Sequence, residues 1–328
     1  MTEGIRWGIL GTANIARASF LPGLRAAGGR AAAVAGRDAE RTRRYAQQQG
    51  IDRAITGYEA LLDDPAIDAV YVPLPNALHQ PWVHRALDAG KPVLCEKPLG
   101  LTAGEVDTMV AASVRTGVPL WEAFVFMFRP HFAQIQAWIA DGAIGTLQEV
   151  DSHFRFALRS RDNIRLRPEL GGGALYDVGC YPVHLATQLL GGAGLHAAVL
   201  ADPDPTGVDA ATSGVVAFET GHLLFSASLT SGPDTFTRIV GSAGVIATSN
   251  PFHPGDGDDL TLQQGFRMTT VRAGDGTPSF TAQIAHIQRV VQGEEAPRAT
   301  AATTSRATAA TLDLIREAAG DRDREPLT

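Results

Sequence analysis

Ile5-Arg-Trp-Gly-Ile-Leu-Gly-Thr-Ala-Asn-Ile-Ala16 is a short apolar run that ends in a glycine and passes directly into a helical pattern. Strand, tight turn, then helix is the context in which a dinucleotide-binding fingerprint carries weight. The stretch matches G-x-G-x-x-G/A at Gly11 and Ala16 and departs from it at Ala13, where a glycine would let backbone approach a pyrophosphate. An alanine methyl is tolerable there, and a helix N-terminus still offers unpaired N–H groups to phosphate. Gly11, Thr12, Ala13, Asn14 and Ile15 are therefore the first candidates for holding a cofactor.

The same alternation repeats downstream. Ala31–Ala35, Ala69–Leu74, Pro92–Cys95 and Pro119–Phe124 are almost continuously apolar, as strands buried on both faces should be. Helical patterns fall between them near Ile15–Ala27, Ala39–Gln49, Leu78–Ala89 and Thr102–Thr116. Strand and helix in repetition predict an α/β fold with a doubly wound parallel sheet, placed at residues 1–125. Past Pro130 the texture changes to a helix near His131–Ala140, a polar–apolar alternation at Thr146–Leu158 and a helix around Ala174–Leu190. Later runs such as Ser213–Phe218, Leu223–Thr230 and Arg238–Val240 read as antiparallel strands, and two helices near Ala282–Gln292 and Ser305–Ala318 follow. Residues 126–328 are thus expected to form an α+β domain on an open, largely antiparallel sheet, with Asp202–Asp209 and Pro254–Asp259 as exposed loops.

The second strand ends in Ala35-Gly36-Arg37, where NAD-selective folds commonly place a carboxylate for the ribose hydroxyl. A guanidinium at that point suits a 2′-phosphate and can stack on adenine, so NADP(H) is favoured and NAD(H) is the alternative. Asp38 next door argues the other way, and Arg37 has a second reading as a solvated charge opening the next helix.

Composition narrows the function. The chain has 28 basic and 35 acidic residues, a net charge of −7 and no basic run, which argues against nucleic-acid or anionic-membrane partners. No apolar stretch approaches the roughly 20 residues of a membrane span. Met1-Thr-Glu leads into a strand pattern without a signal peptide, so a cytoplasmic location is expected. The two cysteines, Cys95 and Cys180, lack metal-ligand spacing and read as packed thiols, and no metal is expected.

Among the 28 basic side chains two are lysines, Lys91 and Lys97, both inside Gly90-Lys-Pro-Val-Leu-Cys-Glu-Lys-Pro-Leu-Gly100. A chain that otherwise uses arginine has kept a compact ammonium, whose pKa responds to burial, at the C-terminal end of a strand, where open α/β sheets bind ligands. Lys97 is the leading candidate for chemistry. Lys91, at a helix end, reads as a cation suited to the helix dipole.

With strand, phosphate loop, Ala69-Val-Tyr-Val-Pro-Leu-Pro-Asn-Ala-Leu-His79 and Cys95-Glu-Lys-Pro98 in this order, the chain resembles the family of glucose-fructose oxidoreductase and inositol dehydrogenase (Gfo/Idh/MocA) over nearly its whole length. The resemblance implies a Rossmann domain followed by an α+β domain whose open sheet makes dimer or tetramer contacts. It also implies hydride transfer between NAD(P) and a hydroxyl or carbonyl carbon of a sugar or related cyclic polyol. Pro73, Leu74, Asn76, His79, Glu96 and Lys97 fall on its cofactor-side motifs, and Arg165 matches a family arginine near the cofactor.

Gly171-Gly-Gly-Ala-Leu-Tyr-Asp-Val-Gly-Cys-Tyr-Pro-Val-His184 reads as a glycine turn entering a helix, with Asp177, Tyr181 and His184 spaced to share one face. Pro182 inside it predicts a local kink. Family members carry a carboxylate here and, four residues on, a histidine or tyrosine for proton transfer. This chain resembles the tyrosine form seen in dihydrodiol dehydrogenases, xylose dehydrogenases and sugar ketoreductases. Tyr181 then exchanges the proton, Lys97 lowers its pKa and stabilises the alkoxide, and Asp177 orients the substrate. His184 is either a helper or a satisfied structural histidine. Trp121, Glu122 and Phe124 end the last Rossmann strand and either wall the nicotinamide pocket or, for Glu122, serve as a structural hydrogen-bond partner. The rival reading is a cofactor-sensing regulatory or binding protein on the same fold.

Overall fold

The computed structural model describes residues 4–320; Met1–Glu3 and residues 321–328, the outer ends of the two expected domains, lie outside the described residues. Six strands form the first sheet: β1 (Arg6–Leu10), β2 (Arg30–Gly36), β3 (Arg53–Thr56), β4 (Ala69–Val72), β5 (Val93–Cys95) and β6 (Leu120–Glu122). They are ordered β3-β2-β1-β4-β5-β6 and every pair is parallel, as the buried apolar runs require. The order reverses between β1 and β4, which is the switch point where such sheets receive ligands.

The second sheet comprises β7 (Leu147–Ala157), β8 (His196–Pro203), β9 (Asp209–Ala217), β10 (His222–Ser228), β11 (Thr230–Gly241), β12 (Val245–Thr248), β13 (Asp259–Gln264) and β14 (Arg267–Arg272). Its order is β14-β13-β12-β11-β7-β10-β9-β8, with β7 and β10 parallel and the other pairs antiparallel. The fold is thus α/β, a parallel Rossmann sheet plus a largely antiparallel one. Asp202 and Pro203 lie in β8 and Asp209 opens β9, so the exposed turn expected at Asp202–Asp209 narrows to residues 204–208, of which Asp204 and Val208 are buried.

The chain divides into two compact units that do not follow the linear boundary expected at residue 125. The first takes in residues up to Gly100, Gly104–Phe128 and Thr277–Thr303; the second takes in Leu101–Ala103, Arg129–Gly276 and the chain from Thr304 on. The return of Thr277–Thr303 has a packing cause. Phe280, Ile284 and Ile287, on and beside the helix Thr281–Val291, join the core cluster of Trp7, Ile9, Phe20 and Tyr71. Phe20 stacks on Tyr71 at 3.9 Å, and Phe280 meets both rings edge-on. Burying each such side chain contributes about 1.5–3 kcal/mol, enough to decide which unit the helix joins.

Two prolines that should interrupt helices are accommodated in the same way. Ala16–Phe20 and Leu175–Gly179 are π-helical, and each passes directly into an α-helix, Leu21–Ala26 and Cys180–Leu190. Proline clashes with the carbonyl four residues earlier and cannot donate to it. For Pro22 and Pro182 those carbonyls belong to Ala18 and Val178, both inside the π segments, where the wider turn reroutes the ladder. The kink expected at Pro182 takes this form.

Candidate active site

The phosphate loop follows β1. Gly11 has φ +100°, a conformation side-chain-bearing residues avoid, and its N–H donates to Ala35 O at 2.7 Å. A Cβ there would lie 3.0 Å from Leu74 Cδ2, so the loop also packs closely on the Pro73–Leu74 turn. Tyr45 Oη donates to Ala13 O at 3.1 Å, and burial pushes that phenol up to about 12, so it serves only as a donor. Asn14 and Ile15 are exposed where the helical run begins. A positive-φ glycine, a short-side-chain turn and a helix start fit a pyrophosphate.

Asp38 is not aimed at a ribose. Its Oδ1 accepts from Arg41 N at 2.8 Å and caps the helix Ala39–Gln49, stabilising that helix by about 1 kcal/mol. The carboxylate that clouded cofactor choice is therefore committed to the cap, and Arg37, exposed between β2 and the helix, precedes the cap rather than opening the helix.

The Cys95-Glu-Lys-Pro98 turn leaves β5 and is fixed from behind. Glu122 Oε1 accepts from Leu99 N at 2.8 Å, and Glu122 O accepts from Gln283 Nε2 at 2.9 Å. Glu122 is buried, so within the first unit it has the structural partner role left open by the sequence. Glu96 Oε1 accepts from Tyr71 Oη at 2.5 Å. His79 is fully buried with Nδ1 2.9 Å from Pro98 O and Nε2 2.8 Å from Leu74 O. The resemblance implies a cofactor contact for His79; its ring nitrogens lie against the carbonyls of two turns, at Leu74 and at Pro98 beside Lys97. Burial is the largest influence on His79 and lowers its pKa. Phe124 is buried edge-on to Phe126 at 6.0 Å, and Trp121 Nε1 donates to Arg298 O at 3.0 Å, so both are core residues of this unit. Lys91 donates to Asp64 O at 2.9 Å and Ile67 O at 2.7 Å, stapling the loop before β4 rather than standing as a solvated helix-end charge.

In the second unit the glycine turn is a matter of close approach. A Cβ on Gly172 would lie 2.5 Å from Arg165 O, and Gly173 N donates to that same oxygen at 2.9 Å. Asn163 caps the short turn Ile164–Leu166. This backbone contact brings Arg165 to the helix that carries Asp177, and Arg165 Nε donates to Asp177 Oδ2 at 2.6 Å. Two residues assigned separately, one to cofactor and one to substrate, thus form an ion pair. Tyr181 is nearly buried, its ring 5.3 Å from Phe154, 5.0 Å from Phe252 and 5.5 Å from His253. None of those three was legible beforehand, because β7 and the loop after β12 reach Tyr181 only through sheet pairing.

His184 is fully buried, with Nδ1 2.9 Å from Thr308 Oγ1, and burial pushes its pKa from 6.5 down to about 3. It joins the helix Cys180–Leu190 to the helix Ala301–Gly320, matching the structural reading. The unfolded chain takes up this proton near 6.5 and the folded chain near 3, so the unfolded state binds more protons between those values and stability falls as pH drops through that window. His184→Gln is therefore expected to shrink the drop in urea midpoint between about pH 7 and about pH 5. The same drop in variant and wild type would contradict this. Cys95 and Cys180 are buried and form no disulfide. Among the described residues no helix is long and apolar enough to cross a membrane, and no group of three His, Cys, Asp or Glu side chains could hold a metal.

The "oxidoreductase family, NAD-binding Rossmann fold" of Gfo/Idh/MocA matches residues 5–124, and the "GFO/IDH/MocA C-terminal domain" matches residues 132–247. The chain belongs to the Gfo/Idh/MocA family. It is an NAD(P)-dependent oxidoreductase acting on CH–OH groups. It is 37% identical over 296 residues to D-xylose 1-dehydrogenase (NADP(+)) 2 of Haloferax volcanii, covering 89% of this chain and 90% of that one. It is also 37% identical over 268 residues to a dTDP-3,4-didehydro-2,6-dideoxy-alpha-D-glucose 3-reductase of Streptomyces violaceoruber, covering 80% and 77%. Among solved structures, a 3-ketoreductase from Actinomadura kijaniata in complex with NADP and TDP-benzene superposes with a TM-score of 0.87 at 28% identity, covering 96% of this chain and 98% of that one.

Proposed function

We propose that the protein uses NADP(H) to interconvert a hydroxyl and a carbonyl on a sugar, keto-sugar or cyclic diol, with Tyr181 as the proton-transfer group and Lys97 as its electrostatic partner. The observation that carries this reading is the Lys97 turn at the end of β5, pinned by Glu122 through Leu99 and by His79 through Pro98. Such bracing fixes the backbone from which the Lys97 side chain extends, at the C-terminal end of β5, and a fixed backbone supports the preorganisation electrostatic catalysis needs. Relatives named as a sugar dehydrogenase and a sugar-nucleotide ketoreductase support the substrate class.

Gly11–Ile15 would hold the pyrophosphate, Gly36 and Arg37 the adenosine ribose with its 2′-phosphate, and the Pro73–Asn76 turn with Glu96 the remainder of the cofactor. When bound, the nicotinamide supplies the hydride in reduction and accepts it in oxidation. As the carbonyl oxygen gains charge, the Tyr181 phenol donates its proton to it. A free phenol titrates near 10, so transfer near neutrality needs a cation that favours the phenolate, and Lys97 supplies it. Asp177, held by Arg165, orients substrate hydroxyls.

Screening NADPH oxidation against keto-sugars, cyclic ketones and simple aliphatic ketones tests the substrate class. Turnover concentrated on polyhydroxylated or cyclic carbonyls is expected; turnover confined to simple aliphatic ketones would contradict it. Cofactor choice has a separate readout. NADPH is expected to bind more tightly than NADH by calorimetry, with Arg37→Ala narrowing the gap about tenfold, the scale of a lost charge-assisted hydrogen bond. Equal affinities in the wild type would remove the role of Arg37.

A further inference from the structure

The helical stretch that carries Asp177 and Tyr181 starts without a capping side chain of its own. Gly173 has φ +116°, Ala174 is already helical at φ −66° and ψ −39°, and Asp177 N donates to Gly173 O at 3.0 Å, so the helical ladder begins at a glycine. The first N–H groups of a helix have no acceptor inside it and need one from elsewhere. Asp209, the first residue of β9, supplies it: Oδ2 accepts from Leu175 N at 2.7 Å, and the carboxylate also accepts from Ala174 N. Asp209 Oδ1 stands in the space that a Cβ on Gly173 would need. A carboxylate from a strand thus takes the place of the missing cap.

That carboxylate is itself held in place. Buried Thr212, which faces Ala227 of β10 across the sheet, donates from Oγ1 to Asp209 Oδ2 at 2.6 Å. Burial pushes the Asp209 pKa up, and the hydrogen bonds from Thr212, Leu175, its own N–H and Ala174 pull it back. A charge withdrawn from water is costly unless donors surround it, and here the donors come from the sheet on one side and the helix start on the other. What they hold is the turn that feeds the site. Gly173 N donates to Arg165 O at 2.9 Å, Arg165 Nε donates to Asp177 Oδ2 at 2.6 Å, and Asp177 N returns to Gly173 O. Asp209 therefore anchors, within the second unit, the closed chain of contacts that ends on the Asp177 carboxylate. Tyr181, one turn further along, has its own fixing in the rings of Phe154 and Phe252.

We infer that Asp209 is a positioning residue for substrate binding: by capping the Asp177 helix from β9 it fixes the direction of the Asp177 carboxylate, acting through Leu175 and Gly173 rather than on the substrate itself. This rests on the reading of Asp177 as the group that orients substrate hydroxyls. Hydrogen bonds weaken steeply as their angle departs from linear, so a small swing of the first turn is enough to lose the one Asp177 makes. The effect falls on Asp177 and not on Tyr181, because the tyrosine ring stays wedged between its aromatic neighbours when the cap is removed.

Steady-state NADPH oxidation with the best polyhydroxylated carbonyl of the panel reads this out. Asp209→Ala is expected to raise KM about tenfold, the scale of one lost hydrogen bond, with kcat within about threefold of wild type. Asp209→Asn keeps an oxygen that accepts from Leu175 N and is expected to hold KM within about threefold of wild type. Adding Asp209→Ala to Asp177→Ala should raise KM by no more than about threefold over Asp177→Ala alone, since one residue acts through the other. A merely structural Asp209 would instead lower the folded fraction, and with it kcat, at constant KM. An unchanged KM in Asp209→Ala, an Asp209→Asn enzyme as impaired as Asp209→Ala, or losses that multiply in the double variant would each overturn the inference. Should Asp209→Ala fail to fold, Thr212→Val removes the donor that holds Oδ2; a KM raised about threefold is then expected, and an unchanged KM overturns the inference. Asp177→Ala in the same assay separates the two levels. A raised KM there with an unaffected Asp209→Ala sinks the Asp209 role alone, whereas an unchanged KM in Asp177→Ala sinks the orienting role of Asp177 and this inference with it.

Discussion

Lys97→Ala is expected to lower kcat for carbonyl reduction at least about a hundredfold while leaving the NADPH dissociation constant within about threefold of wild type. The size follows from what the ammonium does in the proposed reaction. It faces charge that develops on the substrate oxygen, so its loss falls on the transition state rather than on ground-state binding. In the proposed reaction it is also the cation that lets a phenol, which titrates near 10 when free, exchange a proton near neutrality. Structure around the site should persist, because Glu122 holds Leu99 N and His79 meets Pro98 O, and neither bond involves the Lys97 side chain. Lys97→Arg keeps the charge but spreads it over a larger planar group that stays protonated, so partial recovery at best is expected. Near-normal kcat in Lys97→Ala, with a melting temperature unchanged, would remove Lys97 from the chemistry.

Tyr181→Phe is expected to have an effect of similar size, again at least about a hundredfold in kcat. This substitution deletes one oxygen and keeps the ring that packs at 5.3 Å from Phe154 and 5.0 Å from Phe252. The cost to stability is therefore about 1 kcal/mol, the scale of one hydrogen bond, and unfolding cannot explain a loss of activity. Steady-state kinetics with the best carbonyl of the panel checks the split: kcat falls and KM changes little. A rise in KM with kcat preserved would assign the hydroxyl to binding instead.

The Rossmann half was legible because its strands are buried on both faces and its helices alternate with them, so period and order agree. β3 escaped because Arg53–Thr56 is a short, largely exposed edge strand with no apolar run. The helix Thr281–Val291 was visible as an element, but an amphipathic pattern says only that one face is covered, not by which sheet; Phe280, Ile284 and Ile287 settled that by joining Phe20 and Tyr71. Pro182 flagged an interruption whose form, a π segment, depends on carbonyls one turn back, and the same interruption before Pro22 lies inside the stretch read as one helix, Ile15–Ala27. Lys97, Asp177, Tyr181 and Arg165 could be named from local motifs. The Arg165–Asp177 pair could not be foreseen, since it depends on a glycine turn closing against Arg165 O. Nor could Phe154, inside the alternation at Thr146–Leu158, or Phe252 and His253, which precede the loop expected at Pro254–Asp259; all three meet Tyr181 only in the folded chain. Asp38 shows the reverse case: a carboxylate that looked like a ribose ligand is a helix cap, and the cap was readable from its place before Ala39.

The central claim is that Lys97 and Tyr181 serve one proton transfer, and it is tested most directly by single-turnover hydride transfer from pre-bound NADPH in the wild type, Lys97→Ala, Tyr181→Phe and the double variant. Groups acting as a unit are non-additive, so the double variant should be slower than the slower single variant by no more than about threefold. Losses that multiply in the double variant, or either single variant transferring hydride at close to the wild-type rate, would contradict it.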